Sequence, residues 1–312
     1  MKHIDLGLLN KLIQVRSASS DELRIKEFLL DYIVNEKSSW KVEPKIIEGK
    51  GFQDCIILIF GEPRTAIYAH MDTIGFSVGY DSELIKIGGP KVIDGTKLVG
   101  IDSGGEIEAE LMLIEDEDGS ERIQYIFNRK IDRGTILTFK PCFKENNEYV
   151  QSPYLDNRLG VWSALMVANN LEDGAIVFST YEEHGGNSVS FCAKYLMKNY
   201  DIYQSLISDI TWVTSGIFHN EGVVISMRDY SLPRKSFLNK IIDLANQSGV
   251  KFQLEVESTG GSDGGVLQKS DLPIDWCFIG APEDNVHTPN EKVFKNDIIA
   301  MVDMYNFLMK KL

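Results

Sequence analysis

The sequence predicts an α/β domain interrupted by a β-rich insertion. Three observations carry this. Along 5–74 and again along 151–312, apolar residues at helical spacing alternate with short apolar runs of strand length. Between them, residues 75–150 lose helical periodicity and break into short alternating segments separated by glycine-rich turns. Hydrophobic residues make up 43 % of the 312 residues, enough for a substantial core.

The elements follow in order. Leu6, Leu9, Leu12 and Ile13 have helical spacing within 5–15. A second helix is expected from Ser19. Ser19 and Glu22 have capping-box spacing, and Ile25, Phe28, Leu29, Tyr32 and Ile33 form one apolar face. Runs 55–60 and 66–69 read as buried strands. Inside the insertion, apolar runs 111–114 and 123–127 flank Asp118-Gly119, a hairpin signal. The acidic run 115–118 lacks the ligand alternation of a calcium loop and reads as a solvated hairpin tip. Beyond the insertion come a helix at 157–171, a strand at 175–180 and a helix at 188–200. A short strand at 206–207 and a helix at 236–247 follow, with Gly249 near the C-cap position. Phe252, Leu254 and Val256 alternate as a strand, 274–279 is another, and 297–312 is a closing amphipathic helix. The expected organisation is one discontinuous domain, 1–74 with 151–312, and an inserted domain, 75–150.

Composition narrows the function. Lys plus Arg total 32 against 46 Asp plus Glu, a net charge of −14, so no positive field would draw a nucleic acid. The longest apolar run, 55–60, is far short of the ~20 residues that cross a bilayer. Residues Met1 to Asp5 carry no signal-peptide pattern. The expectation is a cytoplasmic protein with no membrane partner. Cys55, Cys142, Cys192 and Cys277 form no Cys-x-x-Cys pair, and each sits in an apolar stretch, which reads as buried free thiols.

Two of the five histidines lie in dense polar motifs. One is Ala69-His70-Met71-Asp72. The other is Asn285-Val286-His287-Thr288-Pro289-Asn290-Glu291. Three acidic motifs lie between them: Leu155-Asp156-Asn157-Arg158, Tyr181-Glu182-Glu183-His184 and Ser208-Asp209. Taken singly each has a plain reading: a surface pair, a solvated helix face, a helix cap at Asp156, a loop acid at Asp209, a turn residue at His287. Yet ligands in open α/β sheets gather at the carboxyl ends of strands, and His70, Glu182, Glu183 and Asp209 all follow predicted strands. Two imidazoles and several carboxylates in one crevice suit a divalent metal. Adjacent residues on a regular strand face opposite ways, so Glu182 and Glu183 can serve one site only where the strand ends. Gly185-Gly186 permits that irregular backbone.

The order and spacing of these motifs resemble the co-catalytic metallo-aminopeptidases of the glutamyl and deblocking type, which assemble tetrahedral (TET) particles. The resemblance covers essentially the whole chain. Residues 17–27 are similar to the family's N-terminal Ser-Gly-x-Glu region, and Ile210-Thr211 and Gly260-Gly261-Ser262-Asp263-Gly264 also fit. The β-rich insertion lies between the first His and the bridging Asp, as in this family. Related lid-domain peptidases and deacylases carry theirs after the Glu-Glu motif. The resemblance implies a zinc-aminopeptidase-like fold, a mixed central sheet with helices on both faces, with a small β-barrel-like inserted domain that mediates dimerisation and narrows access. It implies two divalent metal ions, zinc or cobalt, with manganese also compatible. Asp156 would bridge them, His70 and Asp209 would complete one shell, and Glu183 and His287 the other. Asp72 would fix the His70 tautomer, Glu182 would be the general base, and a cis peptide would follow Asp156. The implied partners are peptide substrates and other copies of the chain, as a dimer or a dodecamer. The chain departs from the family at His184-Gly185-Gly186-Asn187-Ser188, where a hydrophobic residue and Gly-x-Arg-Gly are usual, and its insertion is shorter. His184 reads as a surface residue.

Other readings compete. A metal-dependent deacylase or dipeptidase of the lid-domain kind shares the ligand chemistry. Gly260-Gly261-Ser262-Asp263-Gly264, followed by Asp284 and His287, has the order of a serine hydrolase with Ser262 as nucleophile. That leaves His70, Asp156, Glu182, Glu183 and Asp209 without a role. A glycosidase needs two separated carboxylates, which the adjacent Glu pair is poorly placed to supply. A catalytically dead interaction scaffold would have lost a ligand or Glu182, and none is missing.

Overall fold

The structure is a computed structural model that describes residues 4–115, 119, 121–186 and 188–312. Eleven strands form one mixed sheet. Its centre is four parallel strands: Gly174–Ser179, Ala66–His70, Gln204–Trp212 and Asp275–Asp284. Ile56–Phe60 pairs antiparallel with Gly174–Ser179 on one side, and Glu291–Phe294 with Asp275–Asp284 on the other. The central segments read as continuous apolar runs because both faces are covered. Successive side chains serve opposite layers: Ile56, Leu58 and Phe60 join one core, Cys55, Ile57 and Ile59 the other. Helices Gly7–Gln14, Leu23–Glu36, Leu155–Ala168, Lys235–Ser248 and Lys295–Leu308 bury their apolar faces in the first core. Ser188–Tyr200 and the short helix Asp263–Lys269 cover the second.

Helix Leu155–Ala168 has every residue but Met166 buried. It packs between helices Gly7–Gln14 and Lys295–Leu308 and against the Gln204–Trp212 strand. That placement explains its lack of a polar face. Gly160 makes the approach possible, since a Cβ there would lie 2.2 Å from the Ser208 carbonyl oxygen.

The second sheet has six antiparallel strands, in the order Leu84–Ile87, Gly75–Val78, Ile136–Phe139, Lys97–Asp102, Gly105–Glu115, Glu121–Ile126. A bridge between Glu83 and Gln124 brings its two edges together, so the sheet nearly closes into a barrel. Phe76, Leu98, Leu111, Leu137 and Phe139 fill a core of its own. The expected hairpin forms, with Leu111 opposite Tyr125 and Leu113 opposite Ile123. Of its acidic tip, Asp116 to Asp118 lie outside the described residues. After the barrel the chain rejoins the large sheet through Lys144–Glu145 and Tyr149–Ser152.

Several expectations are corrected. The strand expected at 206–207 runs Gln204–Trp212, and 274–279 extends to Asp275–Asp284. Their parallel register holds from Gln204 opposite Asp275 to Trp212 opposite Glu283, so pairing carries polar Ser208, Asp209 and Thr211 as strand. Strands Lys45–Ile47, Val223–Arg228 and Glu291–Phe294 lie outside the expected elements; the first and last are short with few apolar residues, whereas Val223-Val224-Ile225 is an apolar run that the sequence reading passed over. The Ser19–Glu22 capping box does not form, because helix Leu23–Glu36 starts later and has no side-chain cap. All four cysteines are free, but Cys142 is exposed where burial was expected. Among the described residues, no helix is long and apolar enough to cross a membrane.

Candidate active site

The carboxyl ends of the four parallel strands converge on one edge of the sheet. His70 is the last residue of Ala66–His70. Glu182 and Glu183 lie in a short 3₁₀ turn, Glu182–His184, just after strand Gly174–Ser179. Tyr181 and Gly185 flank that turn with left-handed backbone, and this breaks the strand alternation so that both glutamates face one site. Asp209 lies within Gln204–Trp212, where a loop acid was one reading. His287 follows Asp275–Asp284, also with a left-handed φ of 66°. Asp156 stands at the buried start of Leu155–Ala168, and the Asp156-Asn157 peptide is cis.

Two groups of potential ligands result. His70, Asp156 and Asp209 form one, and Asp156, Glu183 and His287 the other, each with ligand atoms within 4.8 Å of one another. Asp156 belongs to both. Its Oδ1 lies 3.3 Å from His70 Nε2, and its Oδ2 lies 3.3 Å from His287 Nε2. His70 Nε2 is also 3.6 Å from Asp209 Oδ2 and 3.9 Å from Glu182 Oε2. His287 Nε2 is 3.2 Å from Glu183 Oε2. The other ring nitrogen of His287, Nδ1, lies 3.1 Å from the Gly89 carbonyl oxygen. A carbonyl only accepts, so Nδ1 carries a proton, and in the neutral ring Nε2 offers its lone pair to the carboxylate cluster.

A further layer holds these groups. Asp72, fully buried, accepts the Glu182 and Glu183 backbone N–H groups, each at 3.1 Å, and the Ser19 hydroxyl at 2.6 Å. Its Oδ1 is 3.4 Å from His70 Nδ1, which has no other polar partner. Glu22 accepts the Tyr181 N–H at 3.2 Å. Thus the two residues expected to cap a helix instead brace the glutamate turn. Glu291 accepts the N–H groups of Asp156 and His287. Arg158, also fully buried, donates to the carbonyls of Leu12, Val15 and Met71 and to the Ser17 hydroxyl, tying the N-terminal segment to the loop after His70. From sequence, Ser19 and Glu22 carried only a helix-capping expectation, and Glu291 and Arg158 no role. Ser19 and Glu22 lie in the 17–27 stretch that resembles the family, which was the signal available.

The electrostatics call for a cation. The carboxyl groups of Asp72, Asp156, Glu182, Glu183 and Asp209 face two imidazoles, and among the described residues no other positive side chain lies within ion-pair distance of them. Burial pushes the Glu182 carboxyl well above the usual range, with His70 opposing and Asp209 and Glu183 adding to it. Burial and the charge of Asp156 raise Glu183 to about 7. Burial works against protonated imidazoles, yet Asp156 and Glu183 hold His287 up to about 11, and Asp209, Asp156 and Asp72 hold His70 well above its ordinary value. Glu183 Oε1 is buried with no hydrogen-bond partner. Such a donor set, mixed imidazole and carboxylate with an unsatisfied acceptor, fits divalent cations.

The serine-hydrolase arrangement is not assembled. Asp284 Oδ2 lies 2.9 Å from His219 Nε2 and 2.7 Å from Lys292 Nζ, rather than facing His287. Ser262 caps helix Asp263–Lys269, its Oγ accepting the Gly264 N–H at 3.2 Å. His184 is exposed, as expected, and its Nδ1 accepts the Gly88 N–H.

An α/β sheet with an inserted barrel and a histidine–carboxylate cluster at its carboxyl edge defines a metallohydrolase. The sequence profile of the M42 glutamyl aminopeptidase family matches residues 121–304, more than half of the chain. The protein belongs to this family and is an enzyme, a metallo-aminopeptidase. Its fold is similar to that of aminopeptidase APDkam598 from the archaeon Desulfurococcus kamchatkensis, with a TM-score of 0.84 and 18 % identity over 98 % of this chain and 94 % of that one. It is similar also to the TET1 peptidase of Pyrococcus horikoshii, which can assemble into a tetrahedron or a large octahedral shell. There the TM-score is 0.78 and the identity 21 %, over 97 % of this chain and 98 % of that one. A TET aminopeptidase from the marine sediment archaeon Thaumarchaeota archaeon SCGC AB-539-E09 matches with a TM-score of 0.83 and 16 % identity, over 98 % and 96 %.

Proposed function

We propose that the enzyme removes single residues from the free N-termini of peptides at a centre of two divalent cations. The observation that carries this is Asp156, whose two carboxylate oxygens each face a different histidine. His70 and Asp209 would complete the shell of one ion, and Glu183 and His287 that of the other. Zinc or cobalt suits this donor set, and manganese is compatible. Ions held there would polarise the scissile carbonyl and acidify the attacking water. Glu182, with no share in either ligand group, takes a proton from that water on its carboxylate and delivers it to the leaving amine nitrogen. Asp72 is a positioning residue for this base, because it holds the backbone of Glu182 and Glu183 and faces His70 Nδ1. The substrate's α-amine is recognised beside Glu183.

The inserted domain, 75–150, mediates dimerisation and narrows access, favouring short unfolded peptides. The chain self-associates, as a dimer or a dodecamer; the tetrahedral or octahedral assembly of the Pyrococcus horikoshii peptidase supports self-association. The site of action is the cytoplasm.

The test is mass spectrometry of a free-amine peptide mixture and its N-acetylated twin after incubation with metal-loaded enzyme, with Glu182→Ala as control. Stepwise loss of N-terminal residues from the free peptides alone, absent in the variant and in chelator, is the expected result. Change in the acetylated set alone would make the protein a deacylase or deblocking enzyme. Change in neither would defeat the proposal.

A further inference from the structure

The cleft at the histidine–carboxylate cluster has a volume of about 270 Å³ and extends beyond that cluster. Its remaining lining holds three more acids, Asp229, Glu255 and Glu257, none of which has a role in the chemistry proposed above. They come from neighbouring elements. Asp229 follows strand Val223–Arg228, and Glu255 and Glu257 lie in and just after Phe252–Val256, its parallel partner. No Lys or Arg is among the described residues that line the cleft. Arg228 and Lys269 offset part of the Asp229 charge. However, Arg228 Nε donates to the backbone oxygens of Asp229 and Glu257, and Lys269 sits over the Tyr230 ring.

Glu255 feels the charge of both other acids. Burial raises the Glu255 carboxyl above its ordinary value, hydrogen bonds from Ser226 and Thr211 oppose this, and the charges of Glu257 and Asp229 push it further up. A cation entering between them would relieve that repulsion. Trp212, Phe278 and Val286 line the same cleft and offer apolar walls. A cleft lined by both apolar side chains and carboxylates matches an aliphatic stem that ends in a positive charge.

Resting on the aminopeptidase reading, we propose that Glu257, with Asp229 and Glu255, selects peptides that begin with lysine or arginine and repels those that begin with glutamate or aspartate. This is the reverse of what the family's description as glutamyl aminopeptidases suggests. The chemistry is charge complementarity in a partly desolvated pocket, where each unpaired like charge carries a penalty.

Metal-loaded enzyme is assayed on Xaa-Ala-Ala peptides in which Xaa is lysine, arginine, norleucine or glutamate. Norleucine keeps the lysine stem without the charge. Lysine is expected to exceed norleucine in kcat/KM about tenfold (~1.4 kcal/mol) and to exceed glutamate by more. Glu257→Gln lowers the lysine-to-norleucine ratio by about the same factor, and Glu257→Lys moves the lysine-to-glutamate ratio toward glutamate. Each ratio is taken within one preparation, so partial misfolding of a variant cancels. Free L-lysine should also inhibit more strongly than L-norleucine in the wild type and lose that advantage in Glu257→Gln. Faster cleavage of norleucine or glutamate peptides by the wild type would overturn this inference alone, as would a ratio unmoved by Glu257→Gln. Failure to cleave any of the four peptides would instead defeat the aminopeptidase reading, and this inference with it.

Discussion

At the scale of single residues, the site is defined by what each carboxyl group faces. Asp72 makes no contact with the cleft but collects two backbone donors from the glutamate turn and lies against His70. In Asp72→Asn one acceptor oxygen becomes an NH₂ that confronts an N–H. We expect kcat to fall 10–100-fold, with bound metal, read by native mass spectrometry, weakened but present. An unchanged kcat would remove Asp72 from the positioning role. Glu22 offers a pH test. Burial and the nearby charge of Asp72 raise its carboxyl from 4.5 to about 8. The folded protein therefore holds this proton through a range in which the unfolded chain has released it. Stability from Glu22 is complete below about 4.5 and declines as pH rises to about 8, at ~1.4 kcal/mol per unit at most. Urea unfolding of wild type and Glu22→Gln at equal metal should show the variant gaining on the wild type across that window. A constant difference between the two would show that the carboxyl does not titrate there.

At the scale of elements, a polar site is mounted on apolar strands. The parallel run from Gln204 to Trp212 brings Asp209 beside His70, and helix Leu155–Ala168 brings Asp156 between the two histidines. Their mutual approach depends on Gly160, where a Cβ would meet the Ser208 oxygen at 2.2 Å and the Asn157 amide oxygen at 2.1 Å. Gly160→Ala should therefore force the helix start outward, with a loss of about 1–3 kcal/mol in urea unfolding and weaker metal binding. A variant that matched the wild type in both would show that the interface has slack. The apolar core of each strand was legible in the sequence, but its ends were not. Ser208-Asp209 and Glu283-Asp284 look like loop, and only pairing with a neighbour keeps them extended. The Ser19–Glu22 spacing misled for the opposite reason, since both side chains found stronger partners across the fold than at the helix end.

At the scale of the whole molecule, the cations and the inserted barrel are the features to test. A buried cluster of like charges is a folding cost that bound metal offsets. Metal at one hundred times its Kd should stabilise the protein by ~2.7 kcal/mol, so a chelator should lower Tm. His287→Ala should shrink that shift, and equal Tm values with and without metal would count against the site. Light scattering should give a mass above that of one chain, at the dimer or dodecamer, and a monomer would leave the barrel without its proposed part in assembly.

The class of fold, the place of the insertion and the cast of polar residues at the strand ends were all present in the one-dimensional pattern. Apolar periodicity reports which face of an element is buried, and glycine and charge report where elements stop. What emerged only in three dimensions was partnership: that Asp156 spans two histidines, that Ser19 and Glu22 brace a turn more than 150 residues downstream in the case of Glu22 and Tyr181, and that Asp229, Glu255 and Glu257 share one cleft. Those contacts are set by parallel crossovers and close backbone approaches between distant segments. Local spacing along a chain carries no information about them.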